Sequence, residues 1–164
     1  MEKLNLWGEW KDILTYKDGR VVELPTHRNI ITLSGKKLLT GFMKGESLVG
    51  IQYVGFGDTP EINVASDADT TLGAEFFRKV PTSVVYVDDA GDVSTPITKN
   101  LKISILLGYS EANGSPSGVI TEFGIFCGNA SATLNTGYLY NHKIHNGIVK
   151  NSDVQLQRYI TLHF

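Results

Sequence analysis

The chain has 164 residues, of which 41% are hydrophobic and 20% are charged; this length and balance predict one folded domain, residues 1–164, and exclude a disordered chain. Its formal net charge is −2, with 15 basic residues against 17 acidic ones, so no basic face is expected and we predict no nucleic-acid partner. No apolar run approaches the roughly 18 residues that a membrane-spanning helix needs, and we predict no membrane partner.

The cysteine content and the N-terminus indicate where the chain is made. Cys127 is the single cysteine, so no disulfide can form within the chain. Residues 1–7 lack the apolar stretch and the cleavage site of a secretory signal. Together these features predict synthesis in a reducing cytoplasm.

The sequence predicts strands along most of its length. Seventeen glycines among many Val, Ile, Thr and Tyr residues favour strands joined by tight turns. Turn dipeptides such as Asp18-Gly19, Asn113-Gly114 and Asn146-Gly147 separate the alternating segments. Nine strands are expected, at 6–16, 20–25, 28–33, 50–56, 76–87, 97–108, 118–127, 137–145 and 154–163. This pattern predicts a mainly β fold, either an antiparallel β-sandwich or a barrel-like arrangement, and does not decide between the two.

One short amphipathic α-helix is predicted at about 35–44. Ser34 is the expected N-cap, and Gly45 is expected to end the helix in a left-handed conformation. Leu38 and Phe42 recur at helical spacing and should pack on the sheet. We therefore expect Phe42→Asp to detach the helix.

The longest irregular segment, residues 57–73, is predicted to be an assembly arm. Loops of this length are uncommon in compact domains and usually carry a function. Its candidate contact residues are Asp58, Pro60, Asp67 and Asp69. Two alternatives use the same acids: a loose calcium site and an Asp-x-Asp phosphoryl-transfer motif. The first lacks EF-hand spacing, and the second lacks the strand-helix context that its chemistry needs.

Charged residues inside apolar strands predict a structural ion pair. Glu122 interrupts the apolar run 119–126, where an unpaired carboxylate would be costly. Arg78 is the predicted partner, and Arg158, on the apolar face of the last strand, is the second candidate. Glu75 and Glu122 could also serve as the two acids of a glycoside hydrolase, but the bulky apolar residues beside each favour the structural role.

The spacing of the histidines and of the tryptophans argues against a shared binding site. His142 and His145 lie three residues apart, so on a strand they face opposite sides and do not converge on a metal ion. Trp7 and Trp10 have the same spacing and cannot form one sugar-binding platform. We expect one tryptophan in the core and the other at a subunit contact. No residue pattern predicts a metal site or any cofactor.

Four phrases in a fixed order carry a family resemblance. They are Gly50-Ile-Gln-Tyr-Val-Gly-Phe-Gly-Asp58, Thr70-Thr-Leu-Gly-Ala-Glu-Phe-Phe-Arg78, Val119-Ile-Thr-Glu-Phe-Gly-Ile-Phe126 and the terminal strand Val154–Phe164. Their order, from about Trp10 to the last residue, resembles small structural proteins of tailed bacteriophages, of the tail, collar and fibre-associated kind.

This resemblance implies a non-enzymatic virion component, made in the host cytoplasm and located in the phage tail or neck. Its expected partners are copies of itself, in a symmetric oligomer, and other tail or collar proteins. Deleting residues 59–69 should then leave a folded monomer that no longer assembles. The first alternative is a β-sandwich module of a tail fibre that binds a host glycan or receptor, and the second is a small hydrolase that uses Asp67 or Glu122.

Overall fold

A computed structural model describes residues 5–164. It contains one helix, α1 (Leu33–Lys44), and eleven strands. The strands are β1 Trp7–Tyr16, β2 Val21–Glu23, β3 His27–Ile31, β4 Val49–Gly57, β5 Glu75–Lys79, β6 Ser83–Val87, β7 Val93–Ser94, β8 Asn100–Leu107, β9 Val119–Gly128, β10 Tyr138–Val149 and β11 Val154–His163. The fold is mainly β, with 49% strand and 8% helix, which confirms the predicted class.

All strands belong to one antiparallel sheet of eleven strands. Its order is β5-β4-β9-β10-β3-β1-β11-β8-β6-β7, and β2 pairs with β1 beside this path. The sheet does not close into a barrel over residues 5–164, but it is compatible with a sandwich or barrel-like arrangement. Trp10 of β1 meets Phe123 of β9 edge-on, with ring centroids 5.3 Å apart, so the two halves of the sheet pack face to face around the core.

Alternation along the strands fills this core. In β1, Trp10, Asp12 and Leu14 are buried, whereas Lys11 and Ile13 between them are half-buried. In β11, every second residue from Val154 to Leu162 is buried, including Arg158. The predicted placement of Arg158 on the apolar face is therefore confirmed.

The helix begins at a different residue from the predicted one. Thr32 is the N-cap, and its side chain accepts a hydrogen bond from Gly35 N at 3.0 Å, whereas Ser34 lies within the helix. Thr32 N also donates to Tyr140 O at 3.0 Å, which joins the start of α1 to β10. Gly45 ends the helix with φ of +85°, as predicted. Leu38 is buried, while Phe42 is only partly covered, so the main packing contact is Leu38.

Two predicted strands have different bounds. The segment 76–87 is two strands, β5 and β6, because Pro81 has no amide to continue a ladder; β5 pairs with β4, and β6 pairs with β8 in the other half of the sheet. Asn146-Gly147 is not a turn. It lies inside β10, where the register with β9 shifts between Ile144 and Ile148, so the extra residues form a bulge.

Candidate functional site

The candidate site is the segment between β4 and β5, residues 58–74, which we name the β4–β5 loop. It is folded back on the outer face of β4, β9 and β10, and it is not the extended arm that the sequence predicted. Asp58 N donates to Ala74 O at 3.0 Å and closes the base of the loop. Leu72 is buried and packs with Phe126 and Leu139 in a small second core. The loop therefore covers the outer face of β9. Because the core lies against the other face, β9 is buried on both sides.

The start of the loop is held by hydrogen bonds to the chain around β9. The carboxylate of Asp58 accepts from Ser115 Oγ at 2.8 Å and from Ser117 N at 2.6 Å. Thr121 Oγ1 donates to Thr59 O at 2.5 Å. Desolvation raises the pKa of the Asp58 carboxyl, but the hydrogen bonds from Ser117 and Ser115 outweigh it, and the net pKa is lowered. Asp58 thus stays ionised while it closes this end of the loop.

Glu122 holds the other end of the loop. Its fully buried carboxylate accepts from Gly73 N at 3.0 Å and from Ala74 N at 2.7 Å. The side chain lies against Gly57, where a Cβ would overlap Glu122 Oε1. A glycine is therefore required at this position of β4, because a buried carboxylate takes the space of a side chain.

His142 of β10 lies between two carboxylates. Its Nε2 is 2.8 Å from Glu122 Oε2, and its Nδ1 is 2.7 Å from Asp69 Oδ2. A doubly protonated ring donates from both nitrogens, and this form makes both contacts with the two carboxylates at once. Burial lowers the pKa of His142, but the bonds to Glu122 and Asp69 outweigh it and the net pKa is raised. Asp69, Glu122 and His142 form what we call the carboxylate–histidine cluster, and it ties the middle of the loop to the sheet.

The predicted pair between Glu122 and Arg78 is not formed. Arg78 makes two bonds of 2.8 Å to the buried carboxylate of Glu75, and its Nη1 donates to Ser131 O at 2.8 Å. Residues three apart on a regular strand face opposite sides, but the register of β4 and β5 shifts between Phe56 and Gly57, which pairs with Glu75. That irregularity lets Glu75 and Arg78 meet, and it could not be read from the sequence.

Arg158, the second candidate partner of Glu122, pairs instead with Asp12. Both side chains are fully buried, and Arg158 donates to the two Asp12 oxygens at 2.7 and 2.6 Å. Trp10, Asp12 and Leu14 are spaced by two and therefore share the apolar face of β1. This spacing is a sequence signal for a buried acid, and the predicted ion pairs did not include it. The guanidinium also lies over the rings of Trp10 and Phe123, at 4.5 and 4.4 Å.

His145 belongs to this core pair and not to the carboxylate–histidine cluster. Its Nε2 lies 3.2 Å from Arg158 Nη2, and its Nδ1 lies 2.8 Å from Asn146 O. Nδ1 is therefore the protonated nitrogen, and Nε2 accepts from the arginine. Burial, aided by the charge of Arg158, lowers the pKa of His145 to about 3. The two histidines thus serve different clusters, and within residues 5–164 no group of His, Cys, Asp and Glu is arranged to hold a metal ion.

Neither tryptophan offers a free ring face. Trp10 is 3% exposed, which confirms the prediction of one tryptophan in the core. Trp7 stacks on His163 of β11, with centroids 3.8 Å apart, and Arg28 of β3 lies 4.5 Å from the same ring. Because β1 lies between β3 and β11, the ring of Trp7 is flanked from both neighbouring strands. A glycan-binding aromatic platform would need one of these faces to be free.

Two of the exposed side chains in the loop are large and apolar. Ile62 is 90% exposed and Val64 is 86% exposed, while Ala65 beside them is buried. We name Ile62 and Val64 the loop tip. Glu61, immediately before it, accepts a hydrogen bond from Gly147 N at 2.6 Å, so the tip is presented by a segment that is fixed to the sheet.

The predicted arm residues therefore have different roles. Asp58 and Asp69 bind the loop to the body through Ser115, Ser117 and His142. The carbonyls of Pro60 and Asp67 accept backbone hydrogen bonds, from Asn63 and from Leu33 respectively. Sequence reasoning located the segment and two of its anchoring acids, but it did not find His142 as the group that joins Asp69 to Glu122.

Comparison with known proteins adds no family assignment: no family model, no curated protein and no solved structure matches the chain. Within the described part of the chain, no helix is long and apolar enough to cross a bilayer.

Proposed function

We propose that the chain is a non-enzymatic structural component of a tailed-phage virion, which assembles as a symmetric oligomer in the tail, the neck or a fibre attachment. The sequence phrases that resemble tail and collar proteins support this role. The observation that carries it is the β4–β5 loop, which is fixed at Asp58, Glu61, Asp69 and Gly73 yet presents two exposed aliphatic side chains.

A preorganised apolar tip is suited to binding another protein surface. Ordering a flexible loop during association costs free energy, and here hydrogen bonds within the subunit already order it. Isolated exposed aliphatics are common, but two close together on a fixed loop make a small contact patch. The outer strands β5 and β7 also leave sheet edges to which a neighbour can pair.

The acids of this region favour a structural role over hydrolysis. Glu122 is fully buried and bonds to two backbone amides and to His142. Its function in this arrangement is to hold the loop. Glu75 is likewise occupied by Arg78. A glycosidase would need its two carboxyls to face a shared, open substrate site.

The location on the particle tests the proposal. Gold-labelled antibody against this chain should bind intact phage particles at the neck, tail or baseplate in electron micrographs. Label confined to the fibre tips would favour the glycan-binding alternative. Absence from both intact and disrupted particles, with antibody access checked on the latter, would overturn the proposal.

The structure also changes the deletion test. Removing residues 59–69 takes away Thr59 and Asp69, which hold the loop, so loss of assembly would not separate contact from folding. Ile62→Asp with Val64→Asp is the better variant, because it alters only the exposed tip and leaves every anchoring bond in place.

A further inference from the structure

An apolar groove lies at one end of the folded sheet, between α1 and the start of β4 on one side and β6 on the other. It encloses about 390 Å³. We name it the end groove, and its main lining residues are Leu39, Phe42, Ile51, Val84, Tyr86 and Phe164. Phe42 and Val84 are 36% and 42% exposed, so apolar side chains form its open rim. An apolar surface of this shape suits an aliphatic side chain from a partner.

The loop tip and the end groove lie toward opposite ends of the same strands. On β9, Thr121 contacts the start of the β4–β5 loop, while Cys127 lines the groove. They are six residues apart, or about 20 Å at roughly 3.3 Å per residue. On β10, Gly147 bonds to Glu61 beside the tip, and Tyr140 lines the groove. The tip of one chain therefore does not reach its own groove.

The two surfaces also differ in charge. The helix that forms one wall of the groove carries Lys36, Lys37 and Lys44 and no acidic residue, although Lys44 pairs with Glu46 just after the helix, so Lys36 and Lys37 carry the positive charge. The β4–β5 loop carries Asp58, Glu61, Asp67 and Asp69 and no basic residue. Of these acids, Glu61 and Asp67 are exposed. Opposite charges around an apolar contact steer two surfaces together and fix their orientation.

We propose that the end groove is the docking site for a second copy of this chain, which inserts the loop tip, Ile62 and Val64, under the helix of its neighbour. This inference rests on the proposed function, and it names the two surfaces that meet in the oligomer. Such an interface joins different surfaces of the two copies, so repetition gives a closed ring or an open filament, depending on the rotation between neighbours.

Cross-linking between two different variants tests the contact directly. Ile62→Cys and Val84→Cys are prepared separately, mixed and treated with a short bismaleimide, so a product of the two chains requires tip and groove to meet. Met43→Cys replaces Val84→Cys in the control, because Met43 is 89% exposed on α1, which forms the opposite wall, but does not line the groove. Burial raises the pKa of the Cys127 thiol to about 12, so it does not compete for the reagent.

Light scattering on substituted chains gives the second measurement. Ile62→Asp with Val64→Asp, or Val84→Asp alone, should raise the concentration for half-dissociation at least about tenfold. Ile97→Asp is the matched control, since Ile97 is 82% exposed but belongs to neither surface. It should leave the oligomer unchanged, and circular dichroism should show the same strand content in all variants.

The outcomes separate this inference from the proposed function. A mixed product with Val84→Cys but not with Met43→Cys, together with dissociation by the tip and groove variants, supports the docking site. Equal cross-linking in both mixtures, an oligomer that survives both substitutions, or a wild-type chain that is monomeric at every concentration overturns it. None of these results changes where antibody labels the particle, so the virion role is judged separately.

Discussion

Replacing His142 with glutamine tests whether the carboxylate–histidine cluster holds the β4–β5 loop. Glutamine is uncharged, and it lacks the two ring nitrogens with which histidine reaches Asp69 on one side and Glu122 on the other. The variant therefore removes the two contacts of 2.7 and 2.8 Å and leaves the amide bonds from Gly73 and Ala74 to Glu122 in place. Loss of stability should then come from the histidine alone.

The size of the effect follows from the burial of the partners. Hydrogen bonds between charged groups contribute about 1.5–3 kcal/mol each. The bond to Glu122 is fully buried, but the side chain of Asp69 is 31% exposed, so its bond is weakened by solvent. We expect His142→Gln to lower the free energy of unfolding by about 3 kcal/mol at mildly acidic pH. Domains of ordinary stability, about 5–15 kcal/mol, remain folded after a loss of this size.

The loss should depend on pH with a defined sign. The folded-state pKa of His142 is raised by Glu122 and Asp69, which outweigh desolvation, while an unfolded histidine titrates near pH 6.5. The stabilisation is therefore fully present below about pH 6.5 and is lost as pH rises through the folded-state pKa. His145 contributes a pH dependence of the opposite sign, because its folded-state pKa is lowered to about 3. Both the wild type and His142→Gln contain His145, so its contribution cancels in the difference between their free energies of unfolding.

Urea unfolding of the wild type and the variant between about pH 5.5 and 9 gives this difference directly, above the range where free carboxylates titrate. The gap should be largest at the acidic end and should shrink toward the alkaline end. A gap that is constant, or that grows with pH, would refute the protonated cluster. A double-mutant cycle with Glu122→Gln should show a coupling of about 1–3 kcal/mol, and strict additivity would contradict the direct bond.

Two further predictions concern the core and the helix. Asp12→Ala should lower the free energy of unfolding by about 3–5 kcal/mol because it leaves the buried Arg158 unpaired, and the double variant Asp12→Leu with Arg158→Met should recover most of that loss. Urea unfolding measures both variants. Equal losses in the single and the double variant would contradict the pairing. Leu38→Ala should cost about 2–5 kcal/mol by opening a cavity, and it should cost more than Phe42→Asp, because Phe42 lies at the groove rim. Thermal unfolding ranks the two, and the reverse order would contradict the packing of α1.

The fold class could be predicted because alternation and turn residues act locally. The buried residues of β11, including Arg158, recur with a period of two along the strand, so the sequence predicts them. The glycines with positive φ at 19 and 45 lie at a predicted turn and at the predicted helix end. Prediction fails where alternation is interrupted. Asn146-Gly147 predicts a turn but forms a bulge inside β10, and the segment 76–87 predicts one strand although Pro81 divides it.

The partners of buried charges could not be predicted, because they depend on which strands become neighbours. The sequence predicts that Glu122 needs a partner, and it predicts an arginine in that role. A histidine and two backbone amides satisfy it instead. Strand order places β9 between β4 and β10, which brings His142 within reach of Glu122. That order is not contained in the alternation of any single strand.

The hydrogen-bonded acids explain why a loop of seventeen residues, 58–74, can be both long and fixed. Few apolar groups hold it, chiefly Leu72 and Ala65, so hydrogen bonds to Asp58 and Glu122 and the bridge from His142 to Asp69 supply the remaining constraint. Because these bonds lie within the subunit, the entropy cost of ordering the loop falls on folding and not on association. On the proposed docking, weakening the cluster at alkaline pH should therefore weaken assembly without any change at the loop tip itself.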